Sequence, residues 1–211
     1  FEVDELLVLD IDATPQGRSI PAAFVEALAR FTSVPLSIGG GIRSLDQIHD
    51  LLALGVEKVA LSAALQGNLA FLRQAADRFG SSTISVVLNV RQGADGTPLA
   101  WFGRPTPAVA GQPLEQLALA CQQAGAGELV LNAADRDGCR CGYDVDPLAS
   151  LNEQLTIPLV ALGGCGGQDH IQQLLRASPL SGVAAGSLFI YAPGTEQVLL
   201  NYRPTHAWLA Q

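Results

Sequence analysis

Positive charge is scarce in this sequence: 12 Lys and Arg stand against 20 Asp and Glu in 211 residues, for a net charge of -8 and a pI near 4.7. A phosphate-backbone binder needs clustered basic side chains to displace counterions, and these are scattered, so nucleic acid is not an expected partner. Long apolar runs are missing as well. No stretch reaches the roughly 18–20 residues of a membrane span, so neither a membrane partner nor an anchor is expected. Cysteine is sparse, with Cys121, Cys139, Cys141 and Cys165 in small-residue contexts and no signal peptide in view, which fits a reducing cytoplasm. The Cys139–Cys141 pair has no His or further Cys at ligand spacing, so these read as small loop residues and no metal site is expected. Nor does any Ser/His/Asp or Cys/His grouping suggest nucleophilic catalysis. His49 and His170, at neighbouring helix positions of two repeats, are expected to face solvent, and His206 has no visible partner. Finally, no Pro/Gly/Ser-rich linker divides the chain. Its 48% hydrophobic composition can bury one substantial core, so residues 1–211 read as a single domain.

What the sequence does contain is a regular alternation. Short Val/Leu/Ile-rich runs near 5–10, 34–38, 57–61, 83–90, 128–132, 158–162 and 182–185 read as strands. Between them, segments of helical period lie near 19–31, 44–54, 67–79, 112–125, 145–155 and 167–177. The strands are continuously apolar, as in a parallel sheet covered on both faces. Turn signals such as "GGGIRS", "GGCGGQD" and "DRDG" fall at strand ends, where ligands of parallel α/β folds bind.

The sequence also repeats itself. A shift of 123 residues lays Pro35-Leu36 on Pro158-Leu159, Gly40-Gly41 on Gly163-Gly164, Asp46 on Asp169 and Leu51-Leu52 on Leu174-Leu175. It also lays "DELLVL" on "GELVLN", and one residue of slippage lays "KVALSAAL" on "GVAAGSLF". Two such quartets make a (β/α)8 TIM barrel with an internal half-barrel duplication. The counterparts of the strand around Asn89 and the helix at 112–125 would fall about 40 residues before Phe1, so the barrel is expected to lack its first strand and helix. Two strand edges would then be open unless another chain covers them.

The motifs "DELLVLDIDAT", "VPLSIGGGIRS", "GVEKVALSAA", "GELVLNAADRDGCRCGYD", "IPLVALGGCGG" and "GVAAGSLF" together resemble the cyclase subunit family of imidazole glycerol phosphate synthase. The tail "EQVLLNYRP" (196–204) is more similar to the paralogous branch that partners a glutaminase-like protein in acetamidino modification of polysaccharide sugars. The resemblance implies an ammonia-using synthase in a cytoplasmic heterodimer with a glutaminase, acting on a phosphorylated or nucleotide-linked sugar. It implies no cofactor.

Residue by residue, the family's double-phosphate substrate would need two facing anion cradles built from backbone N–H groups. Gly40, Gly41 and Ser62 would form one, and Gly163, Gly164, Gly186 and Ser187 the other, with Gly138 in a third strand-end turn. The same glycines could instead serve only tight turns. Ala63 and Leu162 stand where the family offers hydroxyls. Catalysis in the family uses aspartates at the ends of strands 1 and 5, and the strand-5 position here is Asn89, whose amide cannot exchange a proton near neutral pH. The remaining candidates for catalytic or substrate contacts are Asp137, in the DRDG turn with Asp135, and Asp10, at the end of "LLVLD"; each could also serve only its own turn. At the opposite end, Glu5, Lys58 and Glu128 begin three strands. Charges so placed fit a salt-bridge ring, which in the family gates ammonia, or a solvated barrel bottom. A second reading stays open: a non-catalytic phosphate-binding barrel that activates or scaffolds a glutaminase.

Overall fold

A computed structural model describes residues 3–103, 111–191, 195, 197 and 198. Seven parallel strands follow the expected order: β1 (Leu6–Leu9), β2 (Leu36–Gly39), β3 (Lys58–Leu61), β4 (Ile84–Gln92), then β7 (Glu128–Ala133), β8 (Leu159–Leu162) and β9 (Gly182–Val183), each hydrogen-bonded to the next. Helices α1 (Ala22–Phe31), α2 (Leu45–Ala53), α3 (Leu69–Phe79), α4 (Leu114–Gln123), α5 (Val145–Gln154) and α6 (Gln168–Ala177) connect them, and the short α7 (Ser187–Ile190) follows β9. β1 pairs only with β2 and β9 only with β8, so among the described residues the curled sheet keeps two open edges. The described residues form a TIM-barrel-like fold without a first strand and helix.

The strands are continuously apolar because they serve two cores. Residues such as Val86, Leu88 and Val90 pack outward with Leu72, Leu117 and other helix residues. Ala60, Val87 and Val130 face inward, with Leu7, Leu9, Val160 and Leu162 packed around them. The period of two therefore survives as a choice between two apolar environments.

Two features depart from the alternation. β4 is longer than its apolar run, because Asn89–Gln92 pair antiparallel with β5 (Pro98–Trp101), and β5 pairs in turn with β6 (Gln112–Pro113). The helix expected from 112 thus begins at Leu114, after β6. Apart from Gln197 and Val198, the distinctive tail lies outside the described residues, as does His206.

Candidate functional site

At the carboxyl ends of β1 to β4 the sheet opens into a cavity of about 420 Å³. Five of the candidate site residues line it: Asp10, Gly40, Gly41, Ser62 and Asn89. Asp137, Gly138, Gly163, Gly164, Gly186 and Ser187 are not part of this lining. The cavity belongs to the first half of the chain and to the seam between halves, where Asn132 and Ala134 close it.

The glycine pair is required by its surroundings. Gly41 has φ +68°, and a Cβ there would lie 1.9 Å from the Arg18 carbonyl oxygen; Gly40, at φ +129°, would meet Asp10 at 2.7 Å. Only glycine fits such an approach in this backbone region. Their duplicates behave alike: a Cβ added at Gly164 (φ +92°) would lie 2.1 Å from the Gly142 carbonyl oxygen, and one at Gly163 (φ +94°) 2.7 Å from that of Ala133. α2 starts just beyond the first pair, where Ser44 and Gln47 form a reciprocal capping box.

Asp10 is held, not free. Its Oδ1 accepts from the Asp12 and Ala13 amides at 3.1 and 3.0 Å, and Arg18 Nη1 donates to Oδ2. The Arg18 guanidinium holds the Asp10 carboxyl below its ordinary value, with the backbone donors helping and partial burial opposing. Asp10 is therefore an anion fixed toward the cavity wall.

Asn89 is also engaged: its Nδ2 donates to the Gly103 carbonyl at 2.8 Å and its Oδ1 accepts from Asn132 Nδ2 at 2.9 Å. Ser62 Oγ donates to the Val87 carbonyl at 2.7 Å and accepts from the Gly103 amide at 2.8 Å. Sequence reasoning missed Asn132, Trp101 and Gly103. Asn132 was findable by parity, since Glu128, Val130 and Asn132 share one face of β7. Trp101 and Gly103 belong to the hairpin, which no periodicity announced.

The DRDG turn stands apart. Asp135, Asp137 and Gly138 are exposed, and the Asp137 carboxylate accepts no hydrogen bond from another described residue. Its backbone turn closes through the Asp137 amide to the Ala133 carbonyl at 2.9 Å. Arg136 reaches Asp144 at 3.4 Å. Gly186 caps α7, whose first residue is Ser187. His49 is exposed, but His170 is largely covered and its Nδ1 accepts from the Gly166 amide at 3.1 Å, so it does not face solvent freely.

At the amino-terminal end the three expected charges meet. Lys58 Nζ donates to Glu5 Oε2 and to Glu128 Oε2, each at 2.8 Å, and Ser37 Oγ donates to Glu5 Oε1. The Lys58 side chain is 24% exposed. Burial works to lower the Lys58 pKa, but the hydrogen bonds and charges of Glu128 and Glu5 together outweigh it, and the net shift is upward. Between this charged layer and the mouth lies the inner apolar cluster of Ala60, Val87 and Val130.

Comparison with known proteins agrees with this architecture. A family model described as histidine biosynthesis protein matches residues 2–194. The chain is 36% identical over 201 residues to a putative imidazole glycerol phosphate synthase subunit HisF of Leptospira borgpetersenii, covering 95% of this chain and 79% of that one. It is 37% identical over 201 residues to a putative subunit hisF3 of Vibrio vulnificus (strain YJ016), covering 95% and 77%. To the subunit HisF of Lactococcus lactis subsp. cremoris (strain MG1363) it is 34% identical over 206 residues, covering 95% and 80%.

Proposed function

The chain belongs to the histidine biosynthesis protein family, and from that premise we propose that it is an ammonia-using cyclase or synthase subunit of the imidazole glycerol phosphate synthase type. Its partner is a glutaminase, and its substrate is a phosphorylated or nucleotide-linked sugar. The observation that carries this reading is the pairing of two ends of one barrel. A lysine held between two carboxylates stands at the amino-terminal end, a cavity lined by Asp10, Ser62 and Asn89 among apolar residues stands at the carboxyl-terminal end, and an apolar interior lies between them. Ammonia is small and neutral enough to cross such an interior, whereas water-borne ions are not.

In this reading Gly40, Gly41 and Ser62, beside the capped start of α2, hold one phosphate, and Gly163, Gly164, Gly186 and Ser187 hold the other. Gly138 and Asp137 approach the substrate from the DRDG turn. Asp10, fixed as an anion, orients substrate hydroxyls or a developing positive charge. Asn89 supplies hydrogen bonds and not a proton. The acetamidino-sugar branch is preferred over the histidine branch on the strength of the tail at 196–204. A second reading, a non-catalytic phosphate-binding barrel that activates a glutaminase, is favoured by one observation: the Asn89 amide is already spent on Gly103 and Asn132.

The test uses the full-length protein with its glutaminase, fed with glutamine or with ammonium, on the double-phosphate histidine-pathway substrate and on a nucleotide-linked sugar. Lys58→Met should lower glutamine-fed turnover about tenfold while sparing ammonium-fed turnover. Equal loss on both feeds would remove the gate from the account. Phosphate binding without turnover of either substrate would favour the non-catalytic barrel.

A further inference from the structure

The turns after β7 and β8 hold three of the chain's four cysteines, and their main chains meet. The Gly142 amide donates to the Gly164 carbonyl at 2.8 Å, and a Cβ added at Gly164 would lie 2.1 Å from the Gly142 carbonyl oxygen. Two residues away, a Cβ added at Gly166 would lie 2.5 Å from the Arg140 Cβ and 3.0 Å from its Cα. Residues 140–142 therefore run against residues 164–166 in opposite directions, and Cys141 stands opposite Cys165 between the two contacts. A disulfide joins α-carbons about 4.4–6.8 Å apart, and contacts this close on both flanks bring the pair within its reach. We propose that Cys141 and Cys165 form a reversible disulfide that locks the DRDG turn to the turn carrying Gly163 and Gly164.

Three observations select this pair. First, Cys139 is engaged elsewhere: its Sγ donates to the Asp135 carbonyl at 3.6 Å, and Arg140, between it and Cys141, stands at φ +55°, so the chain bends between the two cysteines. Second, the two thiols are unequal in the way exchange needs. Cys141 is exposed and meets the oxidant, whereas Cys165 is 4% exposed, and burial holds its thiol above the ordinary value. Third, Cys141 is held in place by its neighbour. Arg140 Nη1 donates to the Thr195 carbonyl, and the guanidinium lies 5.2 Å from the centre of the Tyr191 ring.

The oxidant is a small disulfide, for which oxidised glutathione serves as the probe. The Cys141 thiol loses its proton to solvent and attacks one glutathione sulfur. The glutathione S–S bond breaks, one glutathione thiolate leaves and takes up a proton, and a mixed disulfide remains on Cys141. Cys165 then loses its proton and attacks the Cys141 Sγ, expelling the second glutathione thiolate, which is protonated in turn. Two electrons pass from the two protein thiols to the glutathione disulfide. Excess dithiothreitol reverses both steps.

The test treats the full-length protein with oxidised glutathione, alkylates the remaining thiols and maps tryptic peptides by mass spectrometry. Trypsin cuts after Arg140 and next after Arg176, so Cys141 and Cys165 share one peptide while Cys139 falls in another. In the parent and in Cys139→Ser that shared peptide should appear lighter by two hydrogens and unalkylated, and dithiothreitol should restore its two alkylation sites. Cys165→Ser should stop at glutathione on Cys141, and Cys141→Ser should form no link, with circular dichroism confirming that each variant is folded. Amide hydrogen exchange over residues 135–142 should slow about tenfold in the oxidised parent and recover on reduction. A Cys139–Cys141 link in the parent, or glutathione on Cys141 that Cys165 never displaces, would overturn the pairing. A Cys141–Cys165 link that leaves exchange over 135–142 unchanged would overturn the lock.

Discussion

The two halves of the sheet carry the same backbone and different chemistry. Gly40-Gly41 and Gly163-Gly164 share positive φ angles and equally close backbone neighbours, yet the residue beneath the first pair is Asp10 and beneath the second is Ala133. Glu5 and Glu128 are duplicates too, and both reach for one lysine, Lys58, which only the first half supplies. Duplication has kept what backbone geometry requires and let side-chain chemistry diverge. Close approach of two main chains leaves no room for substitution, whereas a charged side chain needs only one copy of its partner.

The largest test of this contrast is at the glycines. Gly41→Ala and Gly164→Ala should each destabilise by about 3 kcal/mol, from steric conflict plus the strain of a side chain at positive φ, as read by urea denaturation. Unequal losses would mean that the halves are not equivalent in backbone either. Next comes the shared lysine. Lys58→Met leaves two carboxylates together without a cation and should cost about 2 kcal/mol at neutral pH, discounted for partial exposure, as read by urea denaturation. Because the folded pKa of Lys58 is raised, its contribution is complete below the unfolded lysine value of about 10.4 and is lost only as pH climbs through the higher folded value.

A smaller effect separates the halves at their Arg–Asp pairs. Arg18→Ala should let the Asp10 carboxyl rise toward the ordinary range, observable by carboxyl NMR titration, and cost about 0.5–1 kcal/mol at neutral pH. Asp10 titrates below its usual value, so its contribution is present above about pH 3.9 and lost as pH falls through the folded value; Arg18→Ala should blunt that acid-side loss. The Arg136–Asp144 pair, at 3.4 Å and without the two backbone donors that hold Asp10, should give about half as much on Arg136→Ala.

The seven parallel strands and six connecting helices were legible because short apolar runs alternate with segments of helical period, and the repeat tied Gly40-Gly41 to Gly163-Gly164 in the sequence itself. The meeting of Glu5, Lys58 and Glu128 was legible because charges opening buried strands need partners. The β5–β6 hairpin was not. Its strands are four and two residues long, begin or end on proline, and interrupt a strand-helix alternation that predicts a helix next. The engagement of Asn89 was hidden with it, because the partner carbonyl belongs to Gly103 in that hairpin. Likewise nothing in "LLVLD" announces that Arg18, eight residues on, will fix Asp10.

The most direct measurement is ammonium-fed turnover by the full-length protein with Asn89→Asp beside the parent. If the mouth at β1–β4 is the reaction site and the amide at position 89 limits proton exchange there, turnover should rise about a hundredfold on the better of the two sugar substrates. Equal turnover in the two proteins, with phosphate binding intact, would contradict the account.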